Sequence, residues 1–101
     1  MKEIWKDIEN FDNYMISNFG NVKSKARYDS SGKRYLKEKY LKPGKLRHNH
    51  LIVILKGNDG LNHTMRVHRI VAMAFLDNPN NYPIINHKDE NPSNNHMDNL
   101  E

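Results

Sequence analysis

The sequence predicts a small α+β domain, an antiparallel sheet with one short helix and an Asn-rich tail. Three observations carry that prediction. Leu51-Ile52-Val53-Ile54-Leu55 is an unbroken apolar run, mostly β-branched, closed by Gly57-Asn58-Asp59-Gly60, which reads as a buried strand entering a turn. Tyr14-Met15-Ile16 and Val22-Lys23-Ser24 flank the Asn/Gly-containing link Ser17-Asn18-Phe19-Gly20-Asn21, which reads as two short strands and a tight turn. After residue 67 the apolar period changes: Val71, Ala74 and Phe75 fall at i, i+3 and i+4, the spacing of one helix face.

The remaining elements follow in order. Residues 3–8 carry Trp5 and Ile8 among charges and extend the first small sheet, with Gly20 supplying a positive φ to the turn that follows. Thr64-Met65-Arg66-Val67 resumes an extended pattern and is expected to pair with 51–55. The helix, expected over 68–75, is also apolar at Ile70 and Met73, so it should be buried over much of its surface and brace the sheet against the tail. Asp77-Asn78-Pro79 should end it, because the residue before a proline avoids helical backbone. Ile84-Ile85 reads as the end of a strand, and Leu100 as the start of another whose missing continuation leaves the chain end frayed.

Composition limits the function classes. A chain of 101 residues is one domain at most, burying roughly 60–70% of the surface its unfolded form exposes. The net charge of +4 and a pI of about 9.4 favour a polyanionic partner. With no cysteine there is no thiolate nucleophile, disulfide framework or Cys-ligated zinc ribbon. No apolar run is long enough to span a bilayer, and Met1-Lys2-Glu3-Ile4-Trp5-Lys6 lacks the apolar middle of a signal peptide, so the expected compartment is the cytoplasm.

Charge is concentrated in residues 23–47. Lys23, Lys25, Arg27, Lys33, Arg34, Lys37, Lys39, Lys42, Lys45 and Arg47 stand there against only Asp29 and Glu38, a local charge of +8. Ser30-Ser31-Gly32 and Pro43-Gly44 break the segment into loops, and Tyr28, Tyr35 and Tyr40 are interleaved with the bases. Lysine and arginine neutralising phosphates, with tyrosines reaching sugar or backbone, is the functional reading. A solvated loop of solubility charges is the plainer one. The candidates for nucleic-acid contact are Lys23, Lys25, Arg27, Lys37, Lys39, Lys42, Lys45 and Arg47, with Arg69 in the helix.

The chemistry-bearing stretch is Ile84-Ile85-Asn86-His87-Lys88-Asp89, followed after an Asn-rich loop by Asp98-Asn99-Leu100. Hydrolysis of a phosphodiester needs an activated water, a Lewis acid for the developing charge, and a rigid frame for both. A neutral imidazole can take a proton from water, and an Asn carbonyl oxygen suits a hard cation such as Mg²⁺. Taken alone, the same residues also suit an Asn-rich turn with an incidental His. Residues 89–94 imitate the start of an EF-hand loop, but Asn94 stands where its Gly belongs and Leu100 where its Glu belongs, which argues against calcium. His48, His50, His63 and His96 have no ligand-like spacing and are surface or DNA-facing candidates.

Together, Val67-His68-Arg69-Ile70-Val71-Ala72, Asn78-Pro79-Asn80, Asn86-His87-Lys88-Asp89, Asn94-Asn95 and Asn99-Leu100-Glu101 resemble the HNH endonucleases, in particular their phage and intron-homing branch, over about a third of the chain. Independently, Trp5-Lys6-Asp7-Ile8, Tyr14, Ser17-Asn18, Gly20 and Val22-Lys23-Ser24 resemble the nuclease-associated modular DNA-binding motif of the fourth type, often found ahead of HNH domains. The first resemblance implies a ββα-metal motif in which His87 is the general base, Asn86 a ligand of a divalent ion such as Mg²⁺, and Asn99 the residue that pins the loop and holds His87 in place. It implies that His68 is not the general base; a lone His at a strand–helix junction is more often a packed, supporting residue, with contact to metal or phosphate as the alternative. Many members carry Asp where this chain has Asn86, and their motif continues past Leu100 through a strand and a helix bearing another metal-binding Asn or His.

The expected organisation is therefore an N-terminal DNA-binding sheet and basic segment over 1–47, then an HNH nuclease domain over 48–101 that is C-terminally incomplete. The expected function is metal-dependent hydrolysis of DNA phosphodiesters, nicking one strand of double-stranded DNA per active site, in a phage-infected or mobile-element-bearing cell. A DNA-binding module without catalysis, an inactive remnant of such a nuclease, and an RNA-binding module are the alternatives.

Overall fold

The computed structural model describes residues 2–29, 31–46, 50–76, 87–91 and 93–100. The expected helix stop at 77–79 and the run Ile84-Ile85 lie outside the described residues. In chain order the elements are β1 (Trp5–Ile8), β2 (Phe11–Ser17), β3 (Val22–Ser24), β4 (Arg27–Tyr28), β5 (Tyr35–Leu36), β6 (Lys39–Tyr40), β7 (Gly44–Lys45), β8 (Leu51–Lys56), β9 (Asn62–Arg66), the helix α1 (Val67–Phe75) and a 3-10 turn, Met97–Asn99. They form three antiparallel sheets: β1-β2-β3-β6, the two-stranded ribbon β4-β5, and β7-β8-β9. This is the small α+β architecture expected from the apolar run at 51–55, the turn residues at 17–21 and the helical spacing at 71–75.

The expected hairpin forms with Tyr14 opposite Ser24 and Ile16 opposite Val22. Its turn closes because the Ser17 hydroxyl accepts hydrogen bonds from the backbone N–H of Phe19 (3.2 Å) and Asn21 (3.1 Å), the local bonding for which serine is suited. Gly20 sits at φ +87°. Strand β8 pairs with β9 from Ile52–Arg66 to Lys56–Asn62, and α1 then starts at Val67 with no connecting loop.

Helix α1 packs on β1, β2, β8 and β9. Ile8, Phe11, Ile16 and Val22 of the first sheet meet Val53 and Leu55 of the third, with Val67, Ile70 and Val71 of α1 and Leu100 of the tail completing one cluster. Elements on both sides of residue 47 thus share a single core. The sheets are also latched at their turns: Asn58 N–H donates to Asn10 O (2.9 Å), Asp12 N–H to Asn58 Oδ1 (3.1 Å), and Lys56 N–H to the Tyr14 hydroxyl (3.3 Å).

Three details differ from the sequence-based expectation. Met73 lies on the outer face of α1 and is 71% exposed, because the buried stripe runs through Val67, Ile70 and Val71. Beyond β3, the basic segment contains the short strands β4 to β7 rather than loops alone, with Tyr28 opposite Tyr35 and their rings 5.3 Å apart at 65°. Pairs of two residues leave no readable alternation, so periodicity cannot find them. Leu100, expected at a frayed end, is 3% exposed and bridged antiparallel to His87. Burial of a leucine side chain is worth about 1.5–3 kcal/mol, enough to hold it in place.

Candidate catalytic loop and nucleic-acid face

The tail folds around Asn99. Its Nδ2 donates to Asp89 Oδ1 (2.9 Å) and to Asn94 O (2.8 Å), while its Oδ1 accepts from Asp89 N–H (3.1 Å). Its backbone carbonyl accepts from Lys88 N–H at 2.7 Å. One side chain therefore ties both ends of the loop together. The Asp89 carboxylate also accepts from Asn94 Nδ2 (2.8 Å) and Asn91 N–H (2.8 Å). These bonds, the one from Asn94 foremost, hold its pKa below the usual carboxylate range. Glu90 takes φ +61°, an uncommon value for a residue with a side chain, and its N–H donates to His87 O (2.9 Å).

His87 sits at the mouth of this loop with its Nε2 at 2.9 Å from Asn95 Oδ1. An amide oxygen only accepts, so Nε2 is the donor in this contact and Nδ1 is the ring nitrogen left outside it. Asn95 is 4% exposed, and its own Nδ2 has no hydrogen-bond partner among the described residues. An orphaned buried donor is costly, which makes Asn95 a residue under constraint from elsewhere. Sequence reasoning noticed Asn94-Asn95 only as part of a pattern and gave Asn95 no role. Its contact with His87 spans eight residues of irregular chain, which no period reports.

His50 and His68 complete a cluster with His87. The ring centroids lie 5.3 Å (His68–His87), 5.4 Å (His50–His68) and 5.8 Å (His50–His87) apart. His68 is buried at the start of α1, and that burial, followed by the charges of His87, His50, Arg69 and Arg66, lowers its pKa from 6.5 to about 4. The folded protein therefore resists a proton that the unfolded chain accepts. The resulting stability is present above pH 6.5 and is lost as the pH falls towards 4, a loss of about 3 kcal/mol. Urea midpoints measured from pH 7 to pH 4 should fall over that window, and His68→Phe should flatten the fall. His50 is 37 residues from His87 in sequence, which is why spacing gave it no place in the cluster. Among the described residues, no group of three or more His, Cys, Asp or Glu side chains is arranged to hold a metal ion.

The basic candidates divide by their surroundings. Lys23 Nζ lies 4.2 Å from the Trp5 ring centroid and 3.3 Å from Glu38, with its side chain 13% exposed. Lys25 Nζ pairs with Asp7 at 2.8 Å, and Arg27 Nη1 donates to Lys25 O (3.1 Å). Lys37, Lys39, Lys42 and Lys45 are exposed. None of the four forms an ion pair among the described residues. Tyr28, Tyr35 and Tyr40 are exposed beside them. Arg69 is exposed next to His68. Asn86, Arg47 and His48 lie outside the described residues.

Comparison with known proteins bears on both halves. The NUMOD4 motif matches residues 3–56. Two uncharacterized HNH endonucleases of Acanthamoeba polyphaga mimivirus are 40% and 36% identical over 93% and 98% of this chain, which spans 25% and 23% of their lengths. The DNA endonuclease I-HmuI of Bacillus phage SP01 is 35% identical over 95% of the chain, which spans 49% of that protein. A solved structure of I-HmuI, described as an HNH homing endonuclease that binds and cleaves DNA, superposes with a TM-score of 0.76 at 33% identity, covering 96% of this chain and 50% of that one. The chain thus spans a quarter to a half of the length of the relatives it matches.

Proposed function

We infer, for a chain that belongs to the NUMOD4 motif family and is homologous to HNH endonucleases, that it is the DNA-engaging and catalytic part of a metal-dependent endonuclease that nicks double-stranded DNA. The observation that carries this reading is the setting of His87. Its Nε2 is fixed on Asn95 and its loop is locked by Asn99, so Nδ1 is presented as a general base on a frame that does not need to reorganise. His87 takes the proton of the attacking water, while Asn99 acts by holding the loop and His68 by packing as a neutral ring.

The donor chemistry suits a hard divalent cation such as Mg²⁺. Asn86, adjacent to His87, would offer a neutral amide oxygen, whereas the Asp89 carboxylate is already engaged by Asn94, Asn91 and Asn99. Mg²⁺ keeps much of its water and is often held in part by substrate phosphates, so a protein site with few donors is in character. When bound, the cation supplies Lewis-acid stabilisation of the charge that builds on the phosphate.

Residues 1–47 and 48–101 divide the work, the first for DNA contact and the second for scission, on one shared core. The exposed Lys37, Lys39, Lys42 and Lys45 are the phosphate-facing set, joined by Arg47 and Arg69, while Lys23, Lys25 and Arg27 are engaged within the protein by Glu38, Asp7 and the Lys25 carbonyl. The cell compartment consistent with this role is the cytoplasm of a phage-infected or mobile-element-bearing bacterium. Supercoiled plasmid incubated with the intact protein and Mg²⁺ should convert to the open circular form, and EDTA should stop it. Tight duplex binding with no scission under any divalent metal would instead establish a binding module.

A further inference from the structure

The hairpin turn between β2 and β3 lies directly beneath the catalytic loop. Asn18 O accepts from Met97 N–H at 2.8 Å. The Phe19 ring stacks on His96 with centroids 4.9 Å apart and planes at 24°. Asn18 is 1% exposed and fixed in turn to the N-terminal segment, its Oδ1 accepting from Ile4 N–H (2.7 Å) and its Nδ2 donating to Lys2 O (3.2 Å). Gly20 packs against Asn95 with no room for a side chain. A Cβ there would lie 2.9 Å from Asn95 Cβ, 2.9 Å from Asn95 O and 3.1 Å from Asn95 C. Two of those three atoms are backbone, so no rotamer change would relieve the clash. The residue against which Gly20 is packed is the one whose amide oxygen holds His87 Nε2.

We propose that the β2–β3 turn of the DNA-binding segment is a positioning element for His87, with Gly20 setting the place of Asn95 and Asn95 setting the orientation and tautomer of the imidazole. The proposal rests on the reading of His87 as the general base. It accounts for a buried Asn95 Nδ2 that has no partner among the described residues: the turn fixes the backbone of Asn95, and its side chain is left to serve the imidazole rather than its own hydrogen bonding. A shift of a few tenths of an ångström to 1 Å at Asn95 passes straight to Nε2, and misplacements of that size cost up to about 10²-fold in rate.

The test separates position from backbone strain, since alanine at a positive φ is strained wherever it sits. Gly60 has nearly the same φ, +81° against +87°, and a Cβ placed there would meet nothing within 4 Å among the described residues. Gly60→Ala is therefore the control for strain alone. Phe19→Ala loosens the same turn with no φ penalty and serves if Gly20→Ala folds poorly. In the ¹⁵N-labelled chain, imidazole ¹⁵N shifts should show His87 as the Nε2–H tautomer. Gly20→Ala, Phe19→Ala and Asn95→Ala should move it towards the mixture of a free imidazole, and Gly60→Ala should not. In nicking assays of the intact protein, Gly20→Ala should lower kcat by about 10- to 100-fold with KM for the duplex unchanged.

An Nδ1–H tautomer in the parent overturns the proposal. So does an unchanged tautomer in both Gly20→Ala and Phe19→Ala, or a Gly60→Ala that matches Gly20→Ala. Should His87 prove not to be the base, the tautomer measurement still decides whether the turn positions it.

Discussion

Replacing His87 with alanine should slow strand scission by about 10²- to 10⁴-fold while leaving duplex affinity unchanged. The magnitude is that of losing a general base, and its selectivity follows from geometry. His87 belongs to a loop whose internal bonds run through Asn99, Asp89 and Asn94, and none of these depends on the imidazole. Removing the ring thus deletes a proton acceptor without releasing the frame. Asn99→Ala should differ in kind, because it leaves the base intact and frees Asp89 and Asn94, so that kcat falls with a loss of loop order visible by hydrogen exchange. Near-normal nicking by His87→Ala would remove this residue from the mechanism, whatever the fold.

Reversing Lys37, Lys39 and Lys42 to Glu should make the salt dependence of duplex binding distinctly shallower. Each phosphate neutralised contributes about −0.9 to the slope of log affinity against log salt, so losing three contacts changes that slope by about 2.7 units. The same reversal at Lys23 and Lys25 should act mainly on stability, because these ammonium groups are already engaged by Glu38, the Trp5 ring and Asp7. An unaltered slope in the triple variant would place the footprint on another face.

Much of this architecture was legible because it is periodic. The unbroken apolar run 51–55 and the extended pattern resumed at 64–67 announce the pair β8–β9 across a Gly-containing turn, and α1 follows from the spacing of Val71, Ala74 and Phe75. The hairpin around Gly20 was legible from turn chemistry. The part that escaped sequence reasoning is long-range. His50 joins His68 and His87 only once β8 and α1 have packed. Lys23 looks like any other base in a charged run until Trp5 and Glu38 close over it. Asn95 reveals its task only when the loop that contains it bends back over residues 17–21. Leu100 was misjudged for the same reason, since its anchor is the core made by distant strands rather than a neighbour in a ladder.

The NUMOD4 match ends at residue 56, the last residue of β8, whereas the turn at 17–21 inside that match supports residues 95–97 outside it. A unit that looks portable in sequence is therefore not portable in space. On the function proposed above, recombination that replaced residues 3–56 would exchange the surface that reads DNA and, with it, the floor under the loop of His87. Target choice and turnover would be inherited together, and a chimera designed for one would have to be screened for the other.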